Sequence, residues 1–250
     1  MDSKKSGHLI LWFAPILFLL GWPIGGSGEP SHESESPERL EEELLGFLAS
    51  GRSEPHDPAE WMRMASVYLD LGYGLYVDHE KKLGAFQEGA RWAKKALEQQ
   101  ESSAEAHFLY AANLGQAVQL QGVIAAALAL QDLRYHINRV LEIDEKHAPA
   151  HHILGRMYEE LPWFLGGDTQ MAGQYLKKAI ALDIHYVPAR LDLGRWYLSH
   201  GHAEEAVKEF LGVLNTPPLK KRWIWERIHR PQAQMFLQQN RGGEPSGLVE

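Results

Sequence analysis

The chain has no cysteine. That excludes a disulfide framework, a thiolate zinc site, an Fe–S cluster, a cysteine nucleophile and a lipid anchor built on an N-terminal cysteine. Basic charge is also in short supply: 25 Lys and Arg face 33 Asp and Glu, for a net charge of −8. No nucleic acid is expected as a partner, because phosphate binding needs a basic face. Catalytic fingerprints are missing as well. There is no Gly-x-Ser-x-Gly and no His-Glu-x-x-His. Gly166-Gly167-Asp168 lacks both the preceding strand and the following Lys-Ser/Thr of a phosphate loop. Glu159-Glu160 and Glu204-Glu205 are adjacent pairs, and neighbours on a helix point in different directions, so neither pair clamps a reacting group. No enzyme, metal or cofactor is expected. The thirteen histidines do not change this: His147, His151 and His152 cluster without a converging ligand motif.

Long apolar runs are scarce too, the main one being Leu9–Ile24, preceded by Lys4 and Lys5 and followed by Gly25-Gly26-Ser27-Gly28. Residues 1–28 read as a secretory signal peptide cut near Glu29, or as an N-terminal membrane anchor. Either way Lys4 and Lys5 stay inside and the rest is exported, periplasmic or membrane-anchored, facing outside the cytoplasm. Residues 29–36 form an acidic Ser/Pro linker that cannot bury apolar surface. No strand pattern follows. Leu40, Leu44, Phe47 and Leu48 have helical spacing within an N-terminal helical segment, 37–56, with Gly51 placed for a C-cap. Asp57-Pro58-Ala59-Glu60 then reads as a helix start.

What the chain has in abundance is internal repetition. PAHHILGRMY (149–158) aligns with PARLDLGRWY (188–197), and RVLEIDEKHAP (from Arg139) aligns with KAIALDIHYVP (from Lys178). Earlier copies begin around EWMRMASVY and KALEQQESSAEAH. His107, His151 and Arg190 share one place in three successive copies. The pattern resembles the tetratricopeptide (TPR) repeat, a 34-residue helix–turn–helix unit. Leu193, Gly194, Tyr197, Gly201, Ala206, Phe210 and Pro218 hold its signature places without a gap. Leu154, Gly155, Tyr158, Ala172, Leu176 and Ala179 do so one unit earlier. Ala65 and Ala111 take the small-residue place in the first two units. The small-residue places lie 46, 44 and 39 residues apart, so 12, 10 and 5 extra residues fall between the two helices of successive hairpins.

The resemblance implies an all-α, right-handed TPR-like solenoid of helix–turn–helix hairpins with widened inter-helix insertions. Four repeats occupy 57–218 (57–103, 104–147, 148–186, 187–218), followed by a capping helix over 219–241 and a disordered tail, 242–250. The run from Leu154 to Asp183 is similar to widened repeats of the T-component of tripartite ATP-independent periplasmic (TRAP) transporters. It is also similar to the regulator of microtubule dynamics family, which shares the LGR…E…W run.

In such solenoids partners lie in the concave groove along the first helix of each hairpin. Transferred place by place, the candidates are Met62, Ser66, Leu69 and Asp70; Phe108, Ala112, Gly115 and Gln116; His152, Arg156, Glu159 and Glu160; Leu191, Arg195, Leu198 and Ser199. Arg156 and Arg195 share one place, so their guanidinium groups could converge on a ligand carboxylate, or each could pair with nearby Glu159 or Asp192. Lys220, Lys221, Arg222, Arg227 and Arg230 form a basic stretch with two tryptophans. It reads first as a cap in which Trp223 and Ile224 seal the last repeat, and otherwise as a patch for anionic lipid or an acidic partner. Gly122–Leu130 lengthens a buried helix or, if exposed, serves self-association or an apolar ligand. Asp168 caps the helix after it, with Trp163 and Phe164 packed on the hairpin. The function expected is non-enzymatic: a scaffold or adaptor holding a protein or peptide partner in a cell-envelope assembly. The alternative is a transporter-associated carrier of a small acidic or apolar solute.

Overall fold

Short polar side chains set where the helices begin. The Oδ1 of Asp57 accepts the Ala59 amide at 2.9 Å, Asp78 that of Lys81 at 2.8 Å, and Ser103 that of Ala106 at 3.2 Å. Asp168 takes the amides of both Gln170 and Met171. These contacts satisfy N–H groups that have no partner within their own helix. The structure is a computed structural model that describes residues 36–49 and 57–241. The targeting segment, most of the acidic linker, Gly51 and the 242–250 tail lie outside the described residues.

The helices are α1 (Pro37–Ala49), α2 (Pro58–Gly74), α3 (His79–Gln99), α4 (Ala104–Gln121), α5 (Val123–Ile143), α6 (Ala148–Glu160), α7 (Thr169–Leu182), α8 (Val187–Ser199) and α9 (Ala203–Asn215). A short α10 (Arg222–Ile224) runs through a π-helical turn (Trp225–His229) into α11 (Arg230–Arg241). Among the described residues there is no strand. Helices α2/α3, α4/α5, α6/α7 and α8/α9 pair as four hairpins, so the fold is the expected all-α TPR-like solenoid.

Small residues let the paired helices approach. A Cβ on Gly155 would meet Leu176 at 2.9 Å, and one on Gly194 would meet Phe210 at 2.5 Å. These are the same two places in successive units, and Leu176 and Phe210 are both fully buried there. Single hairpins cannot cover such side chains, so neighbours stack and share them.

The insertions take two forms. In the first two hairpins the connections are short, residues 75–78 and Gly122 alone, and the extra residues are added helical turns. The runs EKKLGAFQEGA and VIAAALALQ favour helix, so lengthening both partners costs less than ordering a loop. In the third hairpin the extra residues form a loop with a 3-10 turn, Trp163–Leu165. Gly166 has φ +89° there, and a Cβ on Gly167 would run into the Leu161 carbonyl.

Two local expectations need correcting. Gly122–Leu130 does lengthen α5, but that stretch is not buried: Val123, Ile124 and Leu128 are largely exposed. Trp163 and Phe164 do not pack on their hairpin; they stack edge-to-face on each other at 5.9 Å and project outward. Both stretches lie past the last turn at which the facing helix has a partner surface to offer.

Candidate functional site

The site is the face formed by the first helices of the hairpins, α2, α4, α6 and α8, together with the segment from Lys221 to Gln232 that lies on it. The shared-register residues of α6 and α8 meet around one carboxylate. Asp192 Oδ2 sits 2.7 Å from His152 Nε2, and Asp192 Oδ1 accepts from Arg195 Nη1 at 2.9 Å. Arg156 Nε lies 3.7 Å from Asp192 and the same guanidinium also donates to Glu160. The second ring nitrogen of His152 is 3.1 Å from the Tyr186 hydroxyl. The two arginines therefore converge on a carboxylate, and it is the chain's own Asp192. Burial alone would raise the Asp192 carboxyl, but the His152 hydrogen bond and the charges of His152, Arg156 and Arg195 outweigh it and hold it below the usual range. Burial, with the Asp192 charge adding to it, raises the Glu159 carboxyl.

Across this face runs the chain's own C-terminal segment. Lys221 Nζ lies 2.8 Å from Asp70 Oδ1 and 3.5 Å from Ser66 Oγ on α2. The Trp223 ring occupies the space beside Gly74, where a Cβ would meet it at 2.6 Å. His229 Nε2 is 3.3 Å from the Tyr73 hydroxyl. At the other end Arg195 donates to Gln232 at 3.0 Å. The segment thus links the first hairpin to the last. His229 is buried between Tyr73 and the Asp192 cluster, and desolvation, reinforced by the His152 and Arg195 charges and opposed by Asp192, lowers its pKa to about 4.

The capping role is shared differently from the expectation. Trp225, not Trp223, seals the last repeat: its indole N–H donates to the Val213 carbonyl at 2.8 Å. Phe236 stacks on Phe210 at 4.8 Å. Trp223 and Ile224 reach the first hairpin instead. The αL conformation of Lys221, φ 54°, turns the chain so that these neighbours face opposite ends of the solenoid.

The remaining groove candidates are distributed unevenly. Leu191 is fully packed in the last core with Phe210 and Trp225, so it belongs to the core and not to an open groove. Met62 is half-buried against the first core and receives Ser103 Oγ at 3.5 Å. Phe108 lies between two cores, with its ring 4.8 Å from His147. Gln116 is half-buried and Glu159 exposed. Of the basic stretch, Lys220 and Arg227 are exposed, Arg222 pairs with Glu226 at 3.2 Å, and Arg230 lies over the Trp225 ring at 5.5 Å. Tyr73, Tyr186, His229 and Gln232 were not among the sequence candidates. Asp192 had a signal: it lies three residues before Arg195 and within reach of two arginines at one register.

The repeated first-helix residues explain part of the histidine count. His107 Nε2 bonds the Glu101 carbonyl at 2.8 Å, His151 Nε2 that of Glu145 at 2.9 Å, and Arg190 Nε that of Ile184 at 3.4 Å. Each ties its helix to the turn six residues earlier. No group of three or more His, Asp or Glu arranged to hold a metal is found among the described residues. An open recess of about 270 Å³ between α5, α6 and the third loop is lined by Arg134, Asn138, Leu154, Met157, Tyr158 and Gly166. It is smaller than sites that usually hold drug-sized ligands.

Together these features define a TPR-like helical solenoid whose inner face is covered by its own C-terminal segment. A solved structure with the same fold is the thermophilic TPR protein TTC0263 of Thermus thermophilus, at TM-score 0.57 and 20% identity, covering 79% of this chain and 92% of that one. Residues 32–162, just over half of the chain, match the family described as Regulator of microtubule dynamics protein 1-3, and the chain belongs to that family. Regulator of microtubule dynamics protein 1 of Bos taurus is 28% identical over 127 residues, and that of Mus musculus 26% over 136. These matches cover 50% and 53% of this chain but only 40% and 43% of the relatives. Of the two families the insertions resemble, the matched one is the regulator family. The match ends within the third hairpin, so the C-terminal segment lies beyond it.

Proposed function

We propose that this chain is a non-enzymatic protein-interaction module that binds a helical segment of a partner along its inner face, in competition with its own residues 219–232. The observation that carries this reading is the inner face itself: it already holds a helical segment by a charge pair, an indole over a glycine, a buried histidine and a side-chain amide. Solenoids of this kind use that face for extended partners. A partner that displaces the segment has to present a cation toward Asp70 and an aromatic toward Gly74.

Lys4 and Lys5 ahead of the uncharged Leu9–Ile24 run support export or anchoring, with the folded part outside the cytoplasm as scaffold or adaptor in a cell-envelope assembly. The mammalian relatives are named for regulating microtubule dynamics, and a protein-binding solenoid is compatible with that name. The solute-carrier reading has less support, because the recess by Arg134 is small and the inner face is covered.

A labelled peptide of residues 219–232 tests the proposal in trans. It binds the full chain carrying Lys221→Glu and Trp223→Ala at least about tenfold more tightly than the unaltered chain, because the intramolecular segment no longer competes at high effective concentration. Equal binding to both chains, or none to the altered one, contradicts the proposal. Protease accessibility of the folded part in intact cells tests the localisation.

A further inference from the structure

The hairpin tips carry an exposed apolar edge that the proposed function does not use. Val123, Ile124 and Leu128 at the second tip are 83%, 76% and 82% exposed, and Trp163 at the third tip is 84% exposed with Phe164 beside it. The two tips are tied together: Arg134 on α5 donates to the Leu165 carbonyl at 2.6 Å. Both are free of charge, with no Asp, Glu, Lys or Arg from Gln121 to Gln131 or from Leu161 to Gly167. In a chain that is 23% charged, two adjacent uncharged tips with protruding apolar side chains need a low-polarity occupant.

We infer that this edge docks shallowly on a lipid bilayer, with Trp163, Phe164, Val123, Ile124 and Leu128 entering the headgroup boundary. Trp and Phe on a short projecting turn suit that boundary, where an amphipathic ring is anchored at the interface. The side chains stand out as separate knuckles rather than lining a groove, and knuckles press into a fluid surface more readily than into a rigid partner. The chain also enters the folded unit at this edge. Near the start of α1, Glu41 contacts Tyr76 at 3.3 Å and Lys81 at 3.0 Å, both at the first hairpin tip. The preceding sequence, with its Leu9–Ile24 run, therefore joins the folded unit on the tip side. An apolar tether and an apolar edge make two membrane signals, and stable attachment generally takes two. The inference rests on the proposed membrane tether only for bringing the edge near lipid.

Because the chain has no cysteine, one introduced cysteine reports from one place. The full chain carrying Ile124→Cys and an NBD label is reconstituted with phosphatidylcholine vesicles, with Lys178→Cys as the control on α7. The expected result is a blue shift at position 124 and quenching there by brominated lipid, with position 178 silent; Trp163→Ser with Phe164→Ser abolishes the blue shift. A silent probe at 124 on vesicle-bound protein overturns the edge contact while leaving the tether intact. Absence of vesicle binding overturns both. A blue shift without vesicles, accompanied by a doubled molar mass, assigns the edge to a second copy of the chain and overturns the bilayer inference. Both labelled positions are exposed, and helical circular dichroism identical to the parent confirms that each variant is folded.

Discussion

Lys221 and Asp70, 151 positions apart in sequence, form a 2.8 Å ion pair that ties the end of the solenoid to its beginning. Asp70 is almost fully buried and Lys221 half-exposed, so losing the ammonium costs on the order of 1–2 kcal/mol, between the surface and buried limits. The backbone adds a second effect. With φ at 54°, Lys221→Gly relieves strain that Lys221→Ala keeps, so the glycine variant is the more stable of the two by about 1 kcal/mol. Urea denaturation of both variants checks the order, and an alanine variant as stable as the glycine one counts against the αL turn.

Asp192 collects His152, Arg195 and Arg156, and replacing it leaves those cations without their common counter-charge. Asp192→Asn is expected to cost on the order of 2–4 kcal/mol, measured by chemical denaturation. A loss within 0.5 kcal/mol or so, as usual for surface substitutions, would show that the cluster is a loose surface arrangement.

Acid destabilises the fold through His229. Its pKa is near 6.5 in the unfolded chain and about 4 in the folded one. Between those values the unfolded chain binds a proton that the folded chain refuses. The stability is therefore complete above pH 6.5 and declines as pH falls toward 4, by up to about 3 kcal/mol. His136, His147 and His151, also lowered chiefly by burial, act in the same direction. Melting temperatures at pH 7 and pH 5 read the effect, and His229→Gln reduces the difference between them. An unchanged difference would place His229 in water.

The repeat register rests on Gly194 and Phe210. Phe210→Ala removes a fully buried ring and costs about 3–5 kcal/mol. Gly194→Ala forces a methyl against that ring and costs about 1–3 kcal/mol. A loss below about 1 kcal/mol for Phe210→Ala would contradict the register.

The four hairpins were legible because their packing is local. Gly155 with Leu176 and Gly194 with Phe210 recur at fixed spacing, and each pair sits within one hairpin. Asp168 was legible as a cap for the same reason. The form of the first two insertions was not, since Ala-rich VIAAALAL extends a helix whether or not anything covers it. Leu191 was misplaced because its register points to the inner face, while burial depends on Trp225, 34 residues further on. The Asp70–Lys221 contact had no sequence signal at all: a basic, aromatic segment reads equally as a cap, a lipid patch or an intramolecular ligand until the closure of the solenoid decides.

The central claim is that residues 219–232 lie on the inner face of the solenoid. Spin labels on Glu60→Cys and Lys220→Cys, both at exposed positions in a chain without native cysteine, measure it most directly by pulsed dipolar spectroscopy. The account predicts one narrow distance distribution, broadened and lengthened by Asp70→Lys and restored when Lys221→Asp is added. A broad distribution in the parent chain, indifferent to Asp70→Lys, would contradict it.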